Sequence, residues 1–341
     1  MGLFNFFTQE IAMDLGTANT LIIHDDEVVV NEPSIIALNR NNMKEVLGVG
    51  KKALLMHEKT HESIKTVRPL KDGVIADFNA AELMIRELMK MIYPKKPLFP
   101  PSWRMVICIP SSITEVEKRA VRDSAEQAGA KEVYMIHEPM AAALGIGIDV
   151  EEPVGNMIID IGGGTTGITV IALAGIVCDQ SIRIAGDEFT ADIMEALRRY
   201  HSLLIGERTA EQIKIHVGAA LKDLDNPPDD MPVNGRDLVT GIPKQIMVTH
   251  QEVAEALDKS IFKIEEAILK ALETTPPELA SDIYRRGLYL TGGGSLLRGL
   301  DKRLSQKIKL PVHVAEDPLK SVVRGTGIAL KNYQRFPFIM R

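Results

Sequence analysis

Ile11-Ala12-Met13-Asp14-Leu15-Gly16-Thr17-Ala18-Asn19-Thr20-Leu21-Ile22-Ile23 is an apolar run, a turn of small residues and a second apolar run. Met157-Ile158-Ile159-Asp160-Ile161-Gly162-Gly163-Gly164-Thr165-Thr166-Gly167-Ile168-Thr169-Val170-Ile171 repeats the arrangement about half a chain later. Apolar, β-branched flanks predict strands, and the Gly/Thr/Asn centres predict hairpin turns. In both stretches an aspartate closes the first strand just before the glycines. One such hairpin is often only a tight turn. Two of them predict two similar domains and a shared chemistry.

That chemistry is the holding of Mg-nucleotide. Glycine lets backbone N–H groups approach phosphate oxygens, and Thr adds an uncharged donor. Mg²⁺ keeps much of its water shell, so one carboxylate from each turn suffices, acting through water. Asp14 and Asp160 are the metal candidates. Gly16, Thr17, Ala18 and Asn19, with Gly162, Gly163, Gly164 and Thr165, are the phosphate candidates. A third glycine cluster, Gly292-Gly293-Gly294-Ser295, follows the apolar run 287–290 and is expected to open a helix. Backbone there can lie flat against a base and ribose, although an ordinary strand-to-helix turn would look similar. There is no GxxxxGK[ST] loop, and no GxGxxG follows a first strand.

Helical segments alternate with the hairpins, which indicates an α/β fold. Thr114–Glu117, Thr209–Gln212 and Thr249–Glu252 each have capping-box spacing. The last opens a long amphipathic helix with Val253, Leu257, Ile261, Ile264 and Ile268 on one stripe. Three segments interrupt the pattern: residues 39–42 and their surroundings look like a small exposed insertion, and 225–230 and the proline-rich 94–101 are loops.

The chain has 341 residues, 45% hydrophobic and 25% charged, with a net charge of −6. That suits two globular domains and, lacking a basic block, argues against nucleic acid as a partner. Cys108 and Cys178 sit in apolar runs without CxxC spacing, so both are expected to be buried thiols in a reducing cytosol. No apolar stretch is long enough to span a membrane, and the N-terminus lacks the features of a secretory signal. Phe4, Phe6 and Phe7 crowd that N-terminus, and Leu98 and Phe99 tip the proline-rich loop beside Lys95 and Lys96. Either group could pack on the core, or rest on a lipid surface or partner.

These motifs carry a resemblance. DLGTANT (14–20), DIGGGTT (160–166) and LTGGGSLLRGL (290–300) resemble the two phosphate motifs and the adenosine motif of the actin/hexokinase/heat-shock-chaperone ATPase superfamily. Residues 109–112 and 325–329 resemble its two connecting segments. NEPSIIAL (31–38), RPLKDGVIADF (68–78), HEPMAAALG (137–145), IRIAGDEF (182–189) and GERTAEQIK (206–214) point to the MreB-type bacterial actins, in order along nearly the whole chain.

The resemblance implies an actin-like ATPase fold: two RNase H-like domains flanking a nucleotide cleft, each with a smaller insert. The expected divisions are 1–37 with 71–150 and 320–341, an insert at 38–70, then 151–186 with 250–319 and an insert at 187–249. It implies ATP and Mg²⁺ as cofactors, with Glu138 polarising the attacking water and Thr165 beside it. Gly186 belongs to the nucleotide set, and Glu211 and Lys214 bracket ribose or adenine. Taken alone, Glu138 is also a plausible helix N-terminal acid, and Glu211 with Lys214 a surface ion pair. After GGGTT the family usually carries an acidic residue, whereas this chain has Gly167, which bears on hydrolysis more than on binding.

The resemblance further implies slow ATP hydrolysis, homopolymeric filaments, and a cytoplasmic protein lying on the inner face of the cytoplasmic membrane. Phe4, Phe6, Phe7, Leu98 and Phe99 then become membrane contacts, and morphogenesis membrane proteins and wall-synthesis enzymes become partners. An actin-fold small-molecule kinase is the alternative, but no acceptor-site motif is present. A heat-shock chaperone would need a substrate domain after residues 325–330, and the HEPMAAALG and GERTAEQIK segments disfavour plasmid-segregating and cell-division actins.

Overall fold

A computed structural model describes residues 8–59, 61–92 and 102–341. The chain forms two compact units, one of residues 1–154, 171–179 and 319–341, the other of 155–170 and 180–318. Phe4, Phe6, Phe7, Leu98 and Phe99 lie outside the described residues.

In the first unit the opening hairpin forms as the sequence predicts: β1 (Thr8–Leu15) and β2 (Asn19–His24), continued by β3 (Glu27–Pro33). There follow β4 (Ile36–Asn39), β5 (Asn42–Val49), α1 (Lys51–Met56), β6 (Ile64–Val67), and the short pair β7 (Leu70–Lys71) and β8 (Val74–Ile75). Then come α2 (Phe78–Ile92), β9 (Ser102–Ile109), α3 (Glu115–Gln127), β10 (Ala130–His137) and α4 (Glu138–Gly145). The main sheet has the order β10-β9-β1-β2-β3, with β1, β9 and β10 parallel and β2 and β3 antiparallel additions. Strand side chains alternate between faces. Ile11, Met13, Met105 and Ile107 join Met84, Ile85 and Leu88 of α2 in one core cluster. Thr114 caps α3 in a full capping box with Glu117. The stretch around 39–42, expected to be a small exposed insertion, is the turn of the β4–β5 hairpin in a separate sheet, β5-β4-β6.

The second repeat begins with β11 (Asn156–Ile161), β12 (Thr166–Ala172) and β13 (Gly175–Ile182). Next are α5 (Gly186–His201), β14 (Leu203–Leu204), α6 (Glu207–Val217), β15 (Met231–Asp237), β16 (Pro243–Val248), α7 (His250–Thr274), α8 (Pro277–Arg286), β17 (Leu288–Thr291), α9 (Leu300–Ile308) and β18 (Val312–Val314). The chain closes with α10 (Ser321–Lys331). The five-stranded sheet β13-β12-β11-β17-β18 has the strand order of the first sheet, each opening strand flanked by its hairpin on one side and parallel strands on the other. Duplication, read from two hairpins, therefore extends to the whole sheet. A small sheet, β14-β15-β16, stands apart. The α7 stripe is as predicted: Val253, Leu257, Ile261, Ile264 and Ile268 are all buried.

Three expectations are corrected. Thr209 does not cap a helix, because α6 already starts at Glu207 behind Gly206, and the Thr209 N–H binds the Gly206 carbonyl inside the first turn. The Gly292–Ser295 cluster opens only a single 3₁₀ turn, Gly293–Leu296, and the α-helix starts at Leu300. Cys108 is buried, but Cys178 is half-exposed on β13, at the end of the sheet order.

One packing contact matters for the site. Helices α4 and α10 of the first unit meet backbone to backbone. A Cβ on Gly145 would fall 1.8 Å from the Ser321 carbonyl oxygen, and one on Gly325 1.7 Å from that of Ala141.

Candidate functional site

The first unit brings its candidates to the carboxyl ends of adjacent parallel strands, where open α/β sheets place ligands. Asp14 pairs in register with Cys108 on β9, and Ile109 pairs with His137 on β10, so Glu138 follows one step on. Two strand spacings separate β1 from β10, about 10 Å. The Cys108 thiol donates to Asp14 Oδ1 at 3.2 Å. Glu138 is the first residue of α4, with His137 as N-cap and Pro139 behind it. It is therefore a helix N-terminal acid, and that position also fits a water-orienting carboxylate. Burial pushes the His137 imidazole below its ordinary value, against a bond to the Pro110 carbonyl.

The Gly16–Asn19 turn is braced from outside. Ser34 donates its hydroxyl proton to the Gly16 carbonyl at 2.6 Å and its N–H to the Ala18 carbonyl at 2.9 Å. Gly73 N–H donates to Thr17 Oγ1 at 2.9 Å. That bond occupies the Thr17 oxygen as an acceptor and leaves its proton available to donate. The bracing residues belong to NEPSIIAL and RPLKDGVIADF, segments that carry the resemblance without an evident chemical role.

The second unit gathers a larger set. Asp160 lies one residue before the end of β11 and pairs with Thr291 on β17, whose hydroxyl donates to Asp160 Oδ1 at 2.9 Å. Asp160 is half-buried, and desolvation raises its carboxyl above its ordinary value, with the Thr291 bond opposing. The Gly162 N–H donates to the Thr165 carbonyl at 2.9 Å and closes the glycine turn. The first N–H groups of α5, Gly186 and Asp187, donate to the Gly162 and Gly163 carbonyls at 3.1 and 2.8 Å. These bonds fasten the positive end of the helix to the turn.

Gly186 also explains where Lys214 goes. The Lys214 ammonium donates to the Gly186 carbonyl at 2.7 Å and Thr190 Oγ1 at 3.0 Å, and pairs with Glu211 Oε2 at 2.6 Å. Glu211 and Lys214 thus form the ion pair of the blander expectation, built into the nucleotide segment. Gly292 holds φ 79° and ψ 165°, a region essentially reserved for glycine. A Cβ there would lie 2.4 Å from the Ile161 carbonyl oxygen and 2.7 Å from Asp160 Oδ1. The third glycine cluster is therefore pressed against the end of β11. Ser295 is buried and gives its hydroxyl proton to the Gly292 carbonyl, so it shapes the turn.

The candidates thus fall into two sets: Asp14, Gly16–Asn19 and Glu138 in one unit, and Asp160–Thr165, Gly186, Glu211, Lys214 and Gly292–Ser295 in the other. Cys108, Ser34, Gly73, Thr190 and Thr291 were not selected from sequence. Thr291 sits inside the LTGGG motif and Thr190 one helical turn after Gly186, so spacing could have flagged both. Among the described residues no cluster of three His, Cys, Asp or Glu side chains could hold a metal. Single carboxylates suit a hydrated Mg²⁺ carried in with phosphates, and the half-buried Asp160, whose charged form desolvation disfavours, would gain from such a cation.

The family model described as MreB/Mbl protein matches residues 8–337. The chain belongs to the MreB/Mbl family. The cell shape-determining protein Mbl of Bacillus subtilis (strain 168) is 46% identical over 332 residues, covering 97% of this chain and 98% of the relative. The cell shape-determining protein MreB of Escherichia coli (strain K12) is 46% identical over 332 residues, covering 95% and 94%. The crystal structure of the MreB/Mbl family member MreB5 of Spiroplasma citri bound to AMPPNP is 38% identical with a TM-score of 0.89, covering 96% of this chain and 97% of that one. A MamK double helical filament shares the fold, with a TM-score of 0.78 at 22% identity over 97% and 100% of the two chains. The fold is thus actin-like, as MreB/Mbl membership requires.

Proposed function

We propose that the chain is an ATP-dependent, filament-forming bacterial actin of the MreB type that hydrolyses ATP slowly. It assembles on the inner face of the cytoplasmic membrane and directs cell-wall synthesis and rod shape. The observation that carries this is the duplicated strand end, Asp14 before one glycine turn and Asp160 before the other, on sheets of the same strand order. It is supported by nucleotide in the structure of a 38% identical relative and by the cell-shape names of the curated relatives.

When bound, Mg-ATP supplies the phosphoanhydride and a metal charge that offsets its oxygens. Asp14 and Asp160 each offer one carboxylate to the hydrated ion. Gly16–Asn19 and Gly163–Thr165 offer backbone N–H groups, Gly162 closes the second turn through its own N–H, and Thr17 adds its free hydroxyl proton. Glu138 orients water, with Thr165 beside it. Glu211, Lys214, Gly186 and the Gly292–Ser295 turn define the ribose and base subsite. In this proposal 38–70 and 187–249 are the inserted subdomains, a division that the separate three-stranded sheets support.

No helix among the described residues is long and apolar enough to cross a membrane. Phe4, Phe6, Phe7, Leu98 and Phe99 are the membrane contacts in this proposal. Each apolar side chain contributes ~1.5–3 kcal/mol when buried, weak for one subunit but multiplied along a filament. Morphogenesis membrane proteins and wall-synthesis enzymes are the further partners.

The test is electron microscopy on an anionic lipid monolayer with and without Mg-ATP, together with phosphate release by Glu138→Ala. ATP-dependent filaments lying on lipid, and turnover cut about a hundredfold or more in the variant, are expected (the share a positioned base supplies). Folded, ATP-bound monomers under every condition would overturn the cytoskeletal assignment. A variant releasing phosphate at the parent rate would remove Glu138 from its role.

A further inference from the structure

Thr190 is absent from every motif the sequence offers, yet it sits at the centre of the α5–α6 contact. It lies on α5 one turn after Gly186 and is 4% exposed. Its hydroxyl oxygen accepts from Lys214 Nζ at 3.0 Å. The single hydroxyl proton has two acceptors in range, Glu211 Oε2 at 2.8 Å and the Gly186 carbonyl at 3.0 Å. The carboxylate is the shorter and the charged one, so it takes the proton. Lys214 spends its three donors on Gly186, Thr190 and Glu211.

The consequence falls on Glu211. Both of its bonds, from Lys214 and Thr190, end on the same oxygen, Oε2. Among the described residues Oε1 accepts nothing. Remove the Thr190 hydroxyl and the carboxylate is held by one flexible ammonium, free to turn either oxygen outward. With it, one oxygen is clamped and the other is presented as an oriented, charged acceptor. A ribose offers such an acceptor a hydroxyl donor at both C2′ and C3′, whereas a 2′-deoxyribose offers one fewer.

We propose that Thr190 is a positioning residue that clamps Glu211 Oε2, so that Oε1 reads ribose and the site selects a ribonucleotide over its 2′-deoxy counterpart. This rests on the nucleotide assignment above and names its specificity. The Glu211 side chain is 45% exposed, so water can replace the missing hydroxyl in part. The selectivity is therefore about tenfold, the lower end for a hydrogen bond to a charged group, not the ten-thousandfold of a sealed polar pocket.

The experiment is the ratio of Kd values for 2′-deoxy-ATP and ATP, both with Mg²⁺, in the parent, Thr190→Ser and Thr190→Val. The parent and the Ser variant should show a ratio of about ten, and the Val variant about two or less. Thr190→Ala, which favours helix, replaces Val if that variant fails to fold. A merely structural Thr190 would weaken both ligands together and leave the ratio intact, and that result overturns the proposal. So does a parent that binds ATP and 2′-deoxy-ATP equally, while leaving the nucleotide assignment standing. A parent that binds neither overturns that assignment itself.

Discussion

Gly325→Ala is the substitution whose sign the structure decides most firmly. In an exposed helix, replacing Gly by Ala stabilises by about 1 kcal/mol. Here the new Cβ would sit 1.7 Å from the Ala141 carbonyl oxygen, and contacts under 3.0 Å are essentially never seen. The deficit is 3.0 minus 1.7, or 1.3 Å, and the obstacle is backbone, so no rotamer relieves it. Overpacking costs about 1–3 kcal/mol, and a backbone obstacle belongs at the upper end. Setting about 3 against about 1 leaves a net loss of about 2 kcal/mol. For a domain of this size that lowers Tm by about 4–8 °C. The helix forced away, α4, begins at Glu138. A misplacement near 1 Å can cost as much as 100-fold in rate, so phosphate release should fall at least tenfold. Thermal unfolding by circular dichroism and a phosphate-release assay test both arms. A variant melting 2–4 °C above the parent, as propensity alone requires, with unchanged turnover, would refute the backbone contact.

Three further outcomes are expected. Asp160→Asn removes a half-buried carboxylate that desolvation holds above its ordinary value; its ionisation therefore opposes folding, so the variant should melt at or above the parent without nucleotide, yet lose its stabilisation by Mg-ATP in the same melt. Arg104 bonds Glu132 and Glu10 across three adjacent strands, each at 2.6 Å, and holds the Glu132 carboxyl below its ordinary value. Because the folded-state value is depressed, that stabilisation is present above the ordinary glutamate range and lost as pH falls through the lower folded value; Glu132→Gln should reduce Tm at neutral pH and flatten the acid limb of a Tm-against-pH curve. A Cβ on Gly167 meets nothing within 4 Å, so Gly167→Asp should melt within about 2 °C of the parent, since a change without lost contacts costs little, and should raise phosphate release, as the acid that the family resemblance implies at this position would.

Much of this was legible in sequence because the signals were local. The two Asp–Gly hairpins, the Thr114 and Thr249 capping boxes and the α7 stripe depend on neighbours within a turn or a strand. Thr209 misled because its capping spacing is genuine, but Gly206 starts the helix three residues earlier. Residues 39–42 read as a small exposed insertion because the β4–β5 turn is exposed, while the pairing that makes them a hairpin is set by Ile36 and Val49. Cys108, Ser34 and Gly73 could not be selected, since each acts through a partner 18 to 94 residues away. Thr190 stands one helical turn after Gly186, a spacing that was visible, but its significance needed Glu211 brought beside it.

Ser34 and Gly73 hold the first glycine turn, and they also stand on either side of the β5-β4-β6 sheet, one just before it in the chain and one just after. The excursion of chain that builds that small sheet therefore leaves from and returns to the same four residues, while Ile36, Leu38 and Val49 seat the sheet in the main core. Entry, exit and seat together tie the sheet to the turn at more than one point, so the first glycine turn and the small sheet are anchored as neighbours rather than as separate appendages.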